Sequence, residues 1–136
     1  MATLRAMPVL QVSDMGRSVA FWRCAGFEPT GDWPEDGLGT ETIFAILQRG
    51  DVTLALQLLR ARIPVNTHWA AYVYVDDVEA LHAEMTAEGL APTAINRPDF
   101  YGCDDFDIRP DGHLVAFGQA REPVPGPGLS ARRGRG

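Results

Sequence analysis

Aromatic rings set among acids are the chemistry this sequence offers. Trp33 stands with Asp32, Glu35 and Asp36, and Tyr101 stands shortly before Asp104 and Asp105. Strand alternation adds Tyr72 and Tyr74 to one face, and Phe44, Ile46, Gln48 and Gln57 to the faces of two earlier strands. Aromatic faces stack on planar rings and attract cations, each contact contributing roughly 0.5–2 kcal/mol. The candidate ligand-binding residues are therefore Trp33, Phe44, Gln57, Tyr72, Tyr74, Tyr101 and Asp32, and the ligand they suit is flat, cationic and mostly apolar. Phe44 and Tyr74 would serve equally well as core residues. A tryptophan in an acidic loop and a tyrosine beside Gly102 are harder to explain by packing.

Other chemistries find little support. The chain has no lysine, which removes a Schiff-base lysine and a P-loop lysine. It has no Gly-x-Ser-x-Gly and no phosphate-binding glycine loop. Cys24 and Cys103 form neither a disulfide framework nor a metal pattern. Cys24, near a helix end, reads as packing. Cys103 adjoins Asp104 and Asp105, whose charges disfavour a thiolate. His82 on a helix and His113 beside a turn read as surface groups. His68 reaches toward the rim of the same face as Tyr72, without a partner at metal spacing. No catalytic residue and no cofactor are expected. A carboxylate such as Asp104 or Glu41 could serve as a base, but no acid–base pair can be placed.

The formal charge is −6, and it is uneven. Residues 1–120 hold 8 Arg against 17 acids, leaving that body at −9, while Arg121, Arg132, Arg133 and Arg135 sit in the remainder. An acidic body argues against nucleic acid and suits a cationic ligand. No apolar run approaches the ~20 residues needed to span a membrane, and no signal peptide is visible, so no membrane partner and a cytoplasmic location are expected.

The elements that must position the rings follow from periodicity. Met7–Val12 predicts a strand with Met7, Val9 and Gln11 on one face and Pro8, Leu10 and Val12 on the other. Ser13 and Asp14 predict the N-cap of a helix to about Cys24, and Gly26 its stop. A strand starts at Phe27–Thr30, and Gly31–Thr40 reads as a loop. Thr42–Gln48 and Val52–Leu58 predict a hairpin across Arg49-Gly50-Asp51. After a connector over 59–67 come a strand His68–Val75, a helix from about Asp77 to Glu88 and a strand near Ala91–Asn96. A closing hairpin joins Tyr101–Ile108 to His113–Gly118 across Arg109-Pro110-Asp111-Gly112. By alternation Trp69 faces away from Tyr72. One domain over 1–120 is expected, with modules at about 7–58 and 68–118 and a disordered Pro/Gly/Arg-rich tail at 121–136.

The two halves repeat. A shift of 63 places lays Val12 on Val75, Asp14 on Asp77, Gly26 on Gly89 and Pro29 on Pro92. An N-cap acid, a closing glycine and a proline in joint register predict two tandem βαβββ modules. Each is a small sheet with a helix on one face, and together they give an α+β fold, a curved mixed sheet enclosing a cleft.

Val12-Ser13-Asp14, Ser18 to Trp22, Gly26-Phe27, Val75-Asp76-Asp77-Val78 and Arg109 to His113 together resemble the vicinal-oxygen-chelate superfamily of glyoxalases, bleomycin-resistance proteins and dioxygenases. The resemblance covers residues 7–118. Pro8-Val9-Leu10, Ala45 to Leu54, Asn66-Thr67 and Tyr101-Gly102 make it most similar to the bleomycin-resistance proteins. The resemblance implies the glyoxalase/bleomycin-resistance fold and a homodimer with clefts at the interface. It also implies a bithiazole-stacking aromatic cleft near Trp33, Phe44, Tyr72 and Tyr101. Tyr101 stands where tryptophan is usual. The superfamily's metal-ligand positions fall on Met7, Ala55, Ala70 and Ala116, a thioether and three methyls, so no metal and no metal-dependent catalysis are expected. The favoured function is metal-independent binding and sequestration of a planar cationic antibiotic, bleomycin-like, or a related small molecule. The alternative is a metal-free lyase, isomerase or transferase acting on a small metabolite.

Overall fold

Two aspartates 63 residues apart open the two helices of the computed structural model, which describes residues 1–34, 41–98 and 101–121. Asp14 Oδ1 accepts the Arg17 N–H at 3.1 Å and opens α1 (Met15–Cys24); Asp77 Oδ1 accepts the Ala80 N–H at 3.0 Å and opens α2 (Val78–Ala87). Each satisfies an N–H that has no partner inside its helix. The closing glycines are equivalent too. Gly26 (φ 88°) and Gly89 (φ 78°) adopt the left-handed conformation, and paired bonds follow: Gly26 N–H to Arg23 and Phe27 N–H to Trp22, then Gly89 N–H to Thr86 and Leu90 N–H to Met85. The register seen in sequence is thus a register of helix starts and stops.

The strands are β1 (Val9–Val12), β2 (Glu28–Pro34), β3 (Thr42–Arg49), β4 (Val52–Leu58), β5 (Trp69–Tyr74), β6 (Cys103–Ile108) and β7 (Leu114–Ala120). They pair as two sheets, in the orders β1-β4-β3-β2 and β5-β7-β6. In each, the module's first strand runs parallel to its last, and the other pairs are antiparallel. The architecture is the α+β, twice-repeated mixed-sheet fold expected, with the hydrogen bonding divided between two sheets.

Two details of the strands differ from expectation. Gly31–Pro34 belongs to β2 rather than to a loop, since Gly31, Asp32, Trp33 and Pro34 pair with β3. Glu35, Asp36 and the rest of that stretch lie outside the described residues, as do residues 122–136. The strand near Ala91–Asn96 reduces to one bridge, Asn96 to Asp105. Ala91 takes φ 51°, and Pro92 has no N–H to give a ladder, so the backbone there does not run as a strand.

Alternation sorts the core. Leu10, Val12, Ala45, Leu47, Leu54 and Leu56 face α1, where Met15 and Trp22 meet them; Trp22 packs edge-on to Phe27 at 5.1 Å. Phe106, Ile108, Val115 and Phe117 meet Val78, Leu81 and Met85 of α2 in the same continuous core. Cys24, expected to pack, is exposed.

Hairpin turns clasp the modules reciprocally. From the β3–β4 turn Arg49 donates to Glu84 on α2 at 2.6 and 3.1 Å and to the Ala25 carbonyl at 2.8 Å. From the 3-10 turn Pro110–Gly112, Asp111 accepts the Ser18 hydroxyl of α1 at 2.7 Å, and His113 meets the Gln11 carbonyl of β1 at 2.7 Å. The Arg49 guanidinium holds the Glu84 carboxyl below its ordinary value of 4.5. A depressed carboxylate contributes stability above its unfolded pKa and loses it as pH falls through the folded one. Melting curves of wild type and Glu84→Gln should therefore differ at neutral pH and converge as pH drops below about 4.5. Both side chains are substantially exposed, so the gap should be small.

Candidate functional site

The faces turned away from the helices carry the candidate rings, in two groups. On the second sheet Tyr72 and Tyr74 project from β5, and Asp105 and Asp107 from β6. Between them runs β7, presenting Ala116 and Gly118, which lie opposite Tyr72 and Tyr74. Small residues on the central strand form a floor over which the tyrosines lie. A Cβ on Gly118 would collide with the Tyr72 phenol, so glycine is required by close approach.

Asp105 is the pivot. It is 3 % exposed and accepts hydrogen bonds from Tyr72 at 2.8 Å and Tyr101 at 2.7 Å. Burial, reinforced by the Asp105 carboxylate, raises the Tyr72 phenol and pushes Tyr101 up to about 12. Asp107 is raised chiefly by burial; it accepts the Trp69 indole N–H at 3.1 Å. These acids serve first to fix rings.

Trp69 sits on this face, contrary to strict alternation. The β5–β7 register slips between Trp69 and Ala71. Such a bulge re-aims one side chain. The indole consequently packs edge-on against Tyr72 at 4.8 Å and Tyr101 at 6.1 Å, and Tyr72 tilts against Tyr74 at 5.2 Å. Trp69 (42 % exposed) and Tyr74 (56 % exposed) open to solvent.

The second group lies on the first sheet. Trp33 and Phe44 are paired across β2 and β3 with centroids 5.7 Å apart, and Gln57 is the β4 neighbour of Phe44. Trp33 is 48 % exposed. Asp32 pairs with core-facing Ala45, so it points to the opposite side from Trp33; it borders a groove with Ser13, Met15 and Glu41. The structure thus joins Tyr72, Tyr74 and Tyr101, and separately Trp33, Phe44 and Gln57, and turns Asp32 away.

The remaining candidates are accounted for as follows. Asp104 is ion-paired with Arg97 at 2.6 Å and Arg121 at 2.7 Å, and Glu41 with Arg60 at 2.6 Å. His68 is exposed. His82 bonds the Thr93 carbonyl at 2.9 Å and meets Phe106 edge-on. His113, expected at the surface, is 5 % exposed. Cys103 is buried.

The superfamily's metal positions do not fit an ion. Ala55 and Ala116 are wholly buried methyl groups, and Met7 and Ala70 add no oxygen or imidazole donor. Among the described residues no three His, Cys, Asp or Glu side chains gather to hold a metal.

The phenols give an alkaline signature. A raised phenol contributes stability below its unfolded pKa, near 10.0, and loses it as pH climbs through the folded value. Absorbance titration should show Tyr101 ionising near pH 12, and wild type should lose its stability advantage over Tyr101→Phe between pH 10.0 and about 12. Ionisation of all three tyrosines near 10.0 would contradict the Asp105 geometry.

Fold and sequence agree on the class. Residues 5–117 match the family model of the Glyoxalase/Bleomycin resistance protein/Dioxygenase superfamily, and the chain belongs to that superfamily. Its structure is similar to a bleomycin-binding protein from bleomycin-producing Streptomyces verticillus, complexed with copper(II)-bleomycin. The two are 25 % identical with TM-score 0.66, over 90 % of this chain and 99 % of that one. A bleomycin resistance determinant encoded on transposon Tn5 is 23 % identical with TM-score 0.68, over 88 % and 100 %. A fosfomycin resistance protein from Listeria monocytogenes shares the fold at 10 % identity and TM-score 0.68, over 88 % and 95 %. No curated protein matches the chain by sequence. No helix among the described residues is long and apolar enough to cross a membrane.

Proposed function

We propose that this chain binds and sequesters a planar, cationic, antibiotic-like molecule without altering it. The observation that carries this reading is the open face made by Trp69, Tyr72, Tyr74 and Tyr101, where Asp105 and Asp107 hold the Trp69, Tyr72 and Tyr101 rings in advance. Rings already ordered lose little entropy when a flat ligand arrives. Acids beneath them favour a cation on top. Sequestration needs affinity alone, which agrees with a face whose buried carboxylates already hold hydrogen bonds. The likeness to the Streptomyces verticillus protein supports the ligand class.

Trp33, Phe44 and Gln57 enter this reading through a homodimer. In it, the first sheet of one copy covers the second sheet of the other, and both ring groups meet the ligand. Light scattering tests the dimer. Titrating a planar cation while following tryptophan emission tests the site. Trp33→Ala with Tyr101→Ala should weaken binding at least tenfold, roughly the loss of one to two aromatic contacts. Unchanged affinity in that variant would remove the proposal.

One observation favours the alternative, a metal-free lyase, isomerase or transferase. Asp107 is a carboxyl raised by burial beside the rings, and raised carboxyls cluster at catalytic sites. It replaces the ion-paired Asp104 and Glu41 as the candidate base. Recovery of the bound molecule after prolonged incubation distinguishes the readings: intact ligand supports sequestration, and a product lost in Asp107→Asn supports an enzyme.

A further inference from the structure

A pocket of about 400 Å³ lies where the first module meets the second, between β1, β4, the segment Pro64–Asn66 and the start of β5. Its polar atoms come from Gln11, Gln57, Asn66 and His113; the rest of its wall is proline and aliphatic side chain, with no carboxylate or guanidinium. The volume falls within the range of small-molecule sites.

His113 sets its chemistry. The ring is nearly buried, and Nε2 lies 2.7 Å from the Gln11 carbonyl. A carbonyl only accepts, so Nε2 carries the proton and Nδ1 of the neutral ring carries a lone pair. That Nδ1 has no hydrogen-bond partner among the described residues. His113, its ring anchored through Nε2 by a backbone carbonyl, thus borders a pocket lined by three primary amides. Amides both donate and accept, and uncharged walls give nothing to offset the desolvation of an ion.

We propose that this pocket is a second binding site, selective for an uncharged group that donates hydrogen bonds, such as a primary carboxamide, with His113 Nδ1 as the acceptor. It goes beyond the aromatic face made by Trp69, Tyr72, Tyr74 and Tyr101, with which it shares no residue; Gln57 alone is common to it and to the Trp33–Phe44 group. The two sites differ in the charge they select: cations on the rings, neutral amides in the pocket.

Three probes of one size test this: benzamide, its cationic counterpart benzamidine and its anionic counterpart benzoate. With protein labelled with 15N at histidine, benzamide should shift the His113 ring nitrogen saturably, and the two charged probes should not at equal concentration. Gln57→Leu with Asn66→Leu, both at exposed positions, should preserve folding and weaken benzamide roughly tenfold or more, the loss of about two neutral hydrogen bonds. Equal shifts with all three probes, no saturable shift, or undiminished affinity in the double variant would overturn the proposal. Failure of the aromatic reading would appear separately, as no benzamidine response at Tyr72 and Tyr101.

Discussion

Asp105→Ala is expected to destabilise the protein by about 2–4 kcal/mol and to weaken binding of a planar cation at least tenfold. Tyr72 and Tyr101 both donate to this buried carboxylate. Removing it deletes both of these hydrogen bonds, and hydrogen bonds to charged groups are among the stronger ones. A buried carboxylate is itself costly, so the loss comes from the two deleted hydrogen bonds more than from the charge. That distinction is measurable. Removing all three polar groups together, in Asp105→Ala with Tyr72→Phe and Tyr101→Phe, should recover part of the stability. Urea unfolding of the single and triple variants checks this. A triple variant less stable than Asp105→Ala would mean that the carboxylate acts through other contacts.

Gly118→Val is expected to cost about 2–4 kcal/mol, by overpacking and by loss of the Tyr72 hydrogen bond. The strain is steric, since the added Cβ would occupy the volume of the Tyr72 phenol. The ring must swing out of the face, which should also release Tyr72 from its raised pKa. Tyr72→Ala in the same chain removes the obstacle, so the double variant should be destabilised much less than the sum of the singles. Additive costs in a double-mutant cycle would show that Gly118 is required for another reason.

Much of this scaffold was legible because it rests on local chemistry. Asp14 and Asp77 cap their helices, Gly26 and Gly89 close them, and Arg49-Gly50-Asp51 turns the first hairpin, each within a few residues of chain. Alternation placed Leu54 and Leu56 inward because a half-buried strand admits only one register. The misplacements share a cause: tertiary contact. Trp69 joins the tyrosines through a bulge, which strict alternation cannot register. Asp105 looked like one acid in a polar run, and only the β6–β7 pairing reveals it as a buried pivot. Its neighbours give a partial signal, because Cys103, Asp105 and Asp107 alternate with Phe106 and Ile108 on a strand buried on both faces. His113 was read from its turn, whereas the turn docks on β1 and takes the ring inward. Asp32 was assigned to Trp33's surroundings by proximity in sequence, and extension of β2 sends the two to opposite sides.

The aromatic face, rather than any single residue, is the centre of the functional reading. Calorimetric titration with metal-free and with copper(II)-bleomycin tests it most directly, on the wild type and on Trp69→Ala with Tyr74→Ala. Both rings are exposed, so the variant should keep its fold. Saturable heat in the wild type, lost or strongly reduced in the variant, is the expected result. Absence of saturable binding for both forms of the drug, or binding undiminished in the variant, would contradict an aromatic sequestration site for this ligand class.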